Sequence, residues 1–194
     1  MYVAFVGWLT FWMTYWVFGG LFPFDKKALL IRPSKSVPLI VFRNMIISLP
    51  YSLILWNVIP DFSDYIWDSV VLRFIISLAL LEFWFYIAHR LLHTKLLYRW
   101  HKQHHEFKTP YPLVAVYCSP VEAILCDVSS FALGPSFLKM TEYEIMVWMF
   151  LSSIHVLLLH SKLSHGRQHG MHHEKFVGNY GVFTLCDRIF GTYN

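Results

Sequence analysis

Long apolar runs separated by short charged segments set the first expectation for this chain. Tyr2 to Phe22, YVAFVGWLTFWMTYWVFGGLF, holds 21 residues and no charge, and about 20 apolar residues cross a bilayer as a helix. It has no basic leader and no small-residue cleavage site, so it does not read as a signal peptide. A polar linker follows, with Asp25, Lys26, Lys27, Arg32 and Lys35 among Pro23, Pro33 and Pro38. A second apolar stretch runs from about Pro38 to Pro60, interrupted by Arg43 and Asn44, and is followed by Asp61 and Asp64. A third runs from about Tyr65 to Ala88 and carries Asp68, Arg73 and Glu82. Two more, from about Val121 to Leu138 and from Tyr143 to Leu159, flank the turn-like GPSFLKMTE. The pattern leaves open whether that pair is a full-depth or a shallower hairpin. The expected fold is all-α: an integral membrane helical bundle with about four to five membrane-embedded helices.

Composition strengthens this reading. The 194 residues are 56% hydrophobic, 19% aromatic and only 14% charged, where a soluble domain carries about 25% charged residues. Mean hydropathy is +0.46. The length suits one domain, with 1–88 spanning the membrane and 89–194 carrying the histidines and a membrane hairpin near 121–160. The net charge of +4 comes without a long basic run, so nucleic acid is not an expected partner. Cys118, Cys126 and Cys186 form no C-x-x-C pair and read as reduced, packed residues. Lys26, Lys27, Arg32 and Lys35 place the linker in the cytoplasm. The N-terminus and the Asp61–Asp64 loop then face the other side. Every histidine falls at or beyond the cytoplasmic end of a span.

The chain has 11 histidines, and its first 88 residues hold none. On a helix, positions i and i+4 differ by about 40° and i and i+3 by about 60°. His89 and His93 therefore share a face. So would His101, His104 and His105, and His169, His172 and His173 repeat that spacing. One helical turn would then offer two or three nitrogens to a common point. Neutral imidazole is a common ligand for transition metals, and protonated clusters would repel one another. Eight box histidines exceed the roughly four ligands of a zinc site, so two ions are expected. His160 and His165 are further ligand candidates. On one continuous helix they would point about 140° apart, so a break between Ser161 and Gly166 is required for both to bind. His155 stands apart and reads as a packing residue.

H-x-x-x-H at 89–93, H-x-x-H-H at 101–105, HS at 160–161, H-x-x-H-H at 169–173 and the tail FVGNYGVFTLCDRIFGT together resemble the fatty acid hydroxylase/sterol desaturase superfamily. The resemblance runs from about Phe83 to Thr192. It implies an enzyme of an endoplasmic-reticulum-type membrane with a cytoplasmic site, O₂ as oxidant and a lipid as substrate. It also implies two non-haem iron ions held by histidine alone, and electrons from cytochrome b5 and its NADH-dependent reductase. Zinc, which has no redox chemistry, would be a substitute in preparations only. HKQHHEF followed by TP, and FVGNYG, are most similar to the sterol 4-methyl oxidase and delta-5 desaturase branches. The expected reaction is hydroxylation or desaturation of a sterol. A fatty acid or sphingolipid hydroxylase, or a catalytically inactive metal-binding relative, are the alternatives. A metal transporter fits less well, because the boxes sit at span ends rather than along a path through the spans.

Each ligating imidazole needs a partner for its outer N–H, and Glu106, Asn179, Asp187 and Glu82 are the candidates. Gly178 and Gly181 suit tight turns. Arg99, Lys102 and Lys108 read as a solvated face, or one that meets lipid headgroups or an acidic electron donor. Two departures from the superfamily pattern stand out. The segment Ser161 to Gln168 is short, and Cys186 replaces a common tryptophan.

Overall fold

The computed structural model describes residues 1–63 and 69–194, without the side chain of His165. The expectations on Asp64, Tyr65 and Asp68 lie outside the described residues. The regular structure among the described residues is entirely helical. It comprises α1 (Tyr2–Phe18), α2 (Val37–Val58), α3 (Val70–Leu92), a single turn α4 (Tyr98–His101), a composite α5 (120–137), α6 (Glu142–Leu159), α7 (Arg167–Lys175) and α8 (Leu185–Ile189). The helices α2, α3 and α6 are long and apolar enough to cross a membrane. The helix α1 is shorter than the run from Tyr2 to Phe22 suggests. It stops at Phe18, ahead of Gly19 and Gly20, and its 17 residues span about 26 Å against a hydrocarbon core of about 30 Å.

Local signals explain most boundaries. Pro38 sits in the first turn of α2, where its missing N–H costs nothing. Thr141 and Glu144 form a reciprocal capping box that starts α6. The hairpin 121–160 is thus α5 and α6, joined by the turn 138–141. Within α5, Ala123–Val128 is wound as a π-helix.

The bundle has an apolar exterior as well as an apolar core. Leu39, Val58, Val71, Ile75 and Leu151 are exposed, as a lipid-facing belt requires. Asn44, Ser48, Arg73, Ser77 and Glu144 are buried. The interior position of Arg73 is resolved by Glu144, whose Oε1 lies 2.9 Å from its Nε and 2.6 Å from its Nη2. Arg73 joins α3 to α6 and does not face lipid. Helix α1 packs along α6, and α3 packs along α5.

Two ends of the bundle are distinct. At one, Tyr2 OH donates to Glu142 at 3.0 Å, Phe62 N–H to Phe137 O at 2.8 Å and Lys139 Nζ to Trp56 O at 2.6 Å. At the other, the linker meets the histidine region: Lys162 N–H donates to Pro23 O at 2.8 Å and Ser34 N–H to Glu106 at 2.7 Å. The linker and the histidines therefore share one end, where α3 and α6 finish and α5 begins.

Candidate metal centre

Two helix ends, one broken segment and one short helix bring the histidines together. His89 lies in the last turn of α3 and His93 caps it. His160 caps α6. The helix expected across 101–105 does not form. α4 ends at His101, Lys102 and Gln103 turn the chain, and His104–Glu106 is a separate 3₁₀ turn. The three histidines of this box consequently do not share one face. His101 and His105 meet at 3.0 Å between their Nε2 atoms, while His104 turns to His160, 3.5 Å away. The last box stays helical in α7 but divides as well. His169 and His173 pair at 3.1 Å, and His172 projects to His93 at 3.0 Å and His105 at 3.1 Å. The expectation that each H-x-x-H-H box serves one point is corrected: each contributes to two points.

The result is two clusters. His89, His93, His101, His105 and His172 form one; His104, His160, His169 and His173 form the other, and within each the donor atoms lie within 4.8 Å of one another. Nine of the ten candidate residues are thereby brought together. The tenth, His165, has its side chain outside the described residues. The break required between Ser161 and Gly166 is present, since α6 ends at Leu159 and a 3₁₀ turn fills Ser164–Gly166. The short segment does not hold the flanking residues apart, for His160 and His169 lie 3.1 Å apart. His155 belongs to neither cluster and packs on Phe183, 4.7 Å between ring centres.

The outer nitrogens fix which way the lone pairs point. Nδ1 of His89 lies 2.8 Å from Tyr180 O, that of His172 2.7 Å from Gly178 O, that of His173 3.0 Å from Phe107 O and that of His160 2.9 Å from Val156 O. A carbonyl only accepts, so each Nδ1 carries the proton and each Nε2 turns a bare lone pair inward. Burial holds these groups neutral: His93 falls to about 3, His105 to about 2, and His160 and His172 to about 4. His93, His105 and His172 form a triangle with edges of 3.0, 3.1 and 3.2 Å, which one proton per ring cannot satisfy. A cation can. With a metal–nitrogen bond of about 2.1 Å, nitrogens 3.0–3.5 Å apart subtend about 90–110° at a shared ion. Donor type, tautomer and spacing all fit a transition metal in each cluster.

The partners of the histidines differ from expectation. Glu106 accepts from Ser34 N–H and Tyr117 OH and holds the linker. Asn179 binds the chain end, accepting from Asn194 N–H at 3.0 Å. Asp187 accepts from Tyr180 N–H at 2.8 Å and Gly181 N–H at 2.7 Å. Glu82 accepts from the backbone N–H groups of Val182, Phe183 and Cys186 at 2.8–2.9 Å. These two carboxylates act at one remove, by fixing the tail whose Gly178 and Tyr180 carbonyls orient His172 and His89. Gly178 has a positive φ of 74°. A Cβ on Gly181 would stand 2.6 Å from Glu82 Oε1. Arg99, Lys102 and Lys108 are exposed, as expected.

The carboxylate that does touch the histidines is Glu122. Its Oε1 lies 2.9 Å from His101 Nδ1 and 3.8 Å from His104 Nδ1, so one side chain spans both clusters. It is 3% exposed. The sequence offered only a faint signal, an acid in the first turn of an apolar helix after Ser119-Pro120. A narrow apolar cavity beside the centre is walled by Phe85, Ala115, Cys126, Phe131, Val156 and Val182.

Comparison with known proteins follows the same residues. The family model for fatty acid hydroxylase matches residues 74–192. A putative methylsterol monooxygenase of Dictyostelium discoideum is 31% identical over 138 residues, covering 63% of this chain and 51% of its own. Methylsterol monooxygenase 1 of Rattus norvegicus is 29% identical over 192 residues, covering 87% and 64%. Fatty acid hydroxylase domain-containing protein 2 of Homo sapiens is 27% identical over 176 residues, covering 84% and 52%. The chain thus spans between 51% and 64% of the length of these relatives. No solved structure matches. The matched region begins in α3 ahead of His89 and ends in the tail that orients His172, and on that match the chain belongs to the fatty acid hydroxylase family.

Proposed function

We propose that this chain is a membrane-bound oxidoreductase that uses O₂ to hydroxylate or desaturate a lipid, with a sterol as the substrate class. The observation that carries the reading is the pair of inward-facing Nε2 clusters at the end of a membrane bundle. In it, His89, His93, His101, His105 and His172 hold one iron, and His104, His160, His169 and His173 hold the other. Iron supplies the redox chemistry that an unactivated C–H bond requires and that side chains lack. The protein supplies orientation and dryness. The carbonyls of Val156, Phe107, Gly178 and Tyr180 lock the imidazoles, and Phe85, Phe131 and Val156 keep the adjoining space apolar. Hydroxylation consumes one O₂, two electrons and two protons, and returns one water with the alcohol. The electrons come from an external donor, and cytochrome b5 with its reductase fits a cytoplasm-facing site.

The sterol assignment rests on the names of the relatives, two of which are methylsterol monooxygenases. The cytoplasmic orientation rests on the basic linker that packs at the histidine end, and the endoplasmic-reticulum-type membrane on the resemblance of the histidine boxes and tail. The test is to supply purified, iron-loaded protein with O₂, NADH, the reductase, cytochrome b5 and separate pools of methylsterols, fatty acids and ceramides. Mass spectrometry should show a methylsterol that has gained oxygen or lost two hydrogens, dependent on O₂. Oxidation confined to fatty acids or ceramides would overturn the sterol assignment, and no oxidation of any pool would overturn the enzymatic one.

A further inference from the structure

The π-wound stretch of α5 places a second acid where an α-helix would not. On an α-helix, residues five apart point about 140° away from each other. In the π-helix Ala123–Val128, i→i+5 pairing stacks them instead. Asp127 is five residues from Glu122, and both line the cavity beside the histidines. Side chains support the unusual winding: Ser129 Oγ donates to Ile124 O at 2.8 Å, and Tyr51 OH meets Ser129 Oγ at 2.8 Å. Such π segments often mark functional positions.

Asp127 also lines a second cavity, deeper in the bundle, walled by Trp8, Phe11, Trp12, Phe131 and Met149. Asp127 and Phe131 are common to both spaces. They stand between the apolar interior and the space beside the histidines. The deep cavity measures about 50 Å³, room for the leading end of a lipid and not for a ring system, so its walls must part for a whole molecule. Asn44 and Ser48 on its wall are already engaged. Asn44 Nδ2 donates to Val116 O at 2.9 Å, and its Oδ1 accepts from Arg43. Ser48 Oγ accepts from the indoles of Trp8 and Trp12 and donates to Met45 O. Asp127 is different. Among the described residues its hydrogen-bond partner is the Cys118 thiol at 3.4 Å, a weak donor, and no cation lies within ion-pair distance. Its side chain is half-buried rather than sealed. A carboxyl group in an apolar wall without a strong donor is costly and suits an incoming one.

We propose that Asp127 is a substrate-recognition residue that accepts a hydrogen bond from a free hydroxyl on the lipid. The hydroxyl sits close along the molecule to the carbon presented to the histidines. The substrate class is then a hydroxylated lipid, not a plain hydrocarbon chain. This rests on the lipid-oxidising reading above but not on the substrate being a sterol. Discrimination by a buried acceptor arises because an analogue lacking the hydroxyl leaves that acceptor unpaired.

The test is binding to metal-loaded protein in detergent, measured for three matched pairs. They are a methylsterol with and without its hydroxyl, a long-chain alcohol and its alkane, and a sphingoid base with and without its secondary hydroxyl. The wild-type chain should prefer the hydroxylated member of at least one pair by about tenfold or more. Asp127→Leu, which keeps the size and removes the acceptor, should bind both members alike, at unchanged metal content. Should that variant not fold, Asp127→Asn retains a neutral acceptor and should cut the preference several-fold. Equal binding of every pair by wild type, or a preference undiminished in the folded variants, overturns the proposal. A preference confined to the alcohol or sphingoid pair upholds Asp127 and overturns the sterol assignment.

Discussion

Removing the Glu122 carboxylate should loosen both metal clusters at once. Its Oε1 reaches His101 Nδ1 at 2.9 Å and His104 Nδ1 at 3.8 Å, and no other acceptor serves either nitrogen among the described residues. Glu122→Ala removes the carboxylate 2.9 Å from His101 Nδ1, at about 1–3 kcal/mol, and the nearest acid to His104 Nδ1, 3.8 Å away. It also opens a cavity where a side chain 3% exposed had stood. Loss of an outer hydrogen-bond partner costs a metal site about 10–100-fold in affinity. Because His101 serves one cluster and His104 the other, both ions should become labile together. Glu122→Gln keeps a carbonyl acceptor and should fall between wild type and alanine. The assay is the rate of metal loss to a chelator in detergent, read alongside the melting temperature. Chelator resistance unchanged in Glu122→Ala would refute the reasoning, and loss of one ion alone would refute the shared role.

Three further perturbations follow from other parts of the fold. Arg73→Leu leaves Glu144 its Thr141 donors but no cation partner on α3, and breaking a buried pair costs up to about 3–5 kcal/mol. Little folded protein should be recovered from membranes, and Arg73→Leu with Glu144→Leu together should restore part of it. Gly181→Ala places a methyl 2.6 Å from Glu82 Oε1 and 2.9 Å from Asp187 Oδ2. Overpacking of this kind costs about 1–3 kcal/mol and should show as a lower melting temperature. Acid is the third. Burial lowers His93, His105, His160 and His172 from the ordinary 6.5 to about 3, 2, 4 and 4, so the unfolded chain binds more protons below pH 6.5. Stability is therefore full above that pH and falls beneath it, by about 1.4 kcal/mol per pH unit for each group. Melting curves of metal-free protein between about pH 8 and pH 5 should be flat above 6.5 and decline below it; a level profile would contradict the burial argument.

Much of the bundle was legible because apolar length is a strong signal in a membrane solvent. The helices α2, α3 and α6 lie where the apolar runs placed them, and the break after His160 follows from helical geometry. The partition of the histidines was not legible. H-x-x-H-H has the same spacing at 101–105 and at 169–173, yet the first is a broken turn and the second a helix. That difference arises from packing, with His173 Nδ1 donating to Phe107 O across 66 positions. Glu122 and Asp127 were missed because five-residue spacing separates two side chains on an α-helix, and sequence does not reveal a π turn. Glu82 was read as a near neighbour of the histidines from its register. Its partners lie 100 to 104 positions away, where no local pattern reaches.

The central claim is that nine histidines form two separate metal sites. Its most direct measurement is metal per chain after anaerobic loading with ferrous iron, in wild type and in one variant of each cluster, His172→Ala and His169→Ala. Two irons in wild type and one in each variant, with the chain still folded in the membrane, is the predicted result. Less than one iron in the folded wild-type chain would contradict the account.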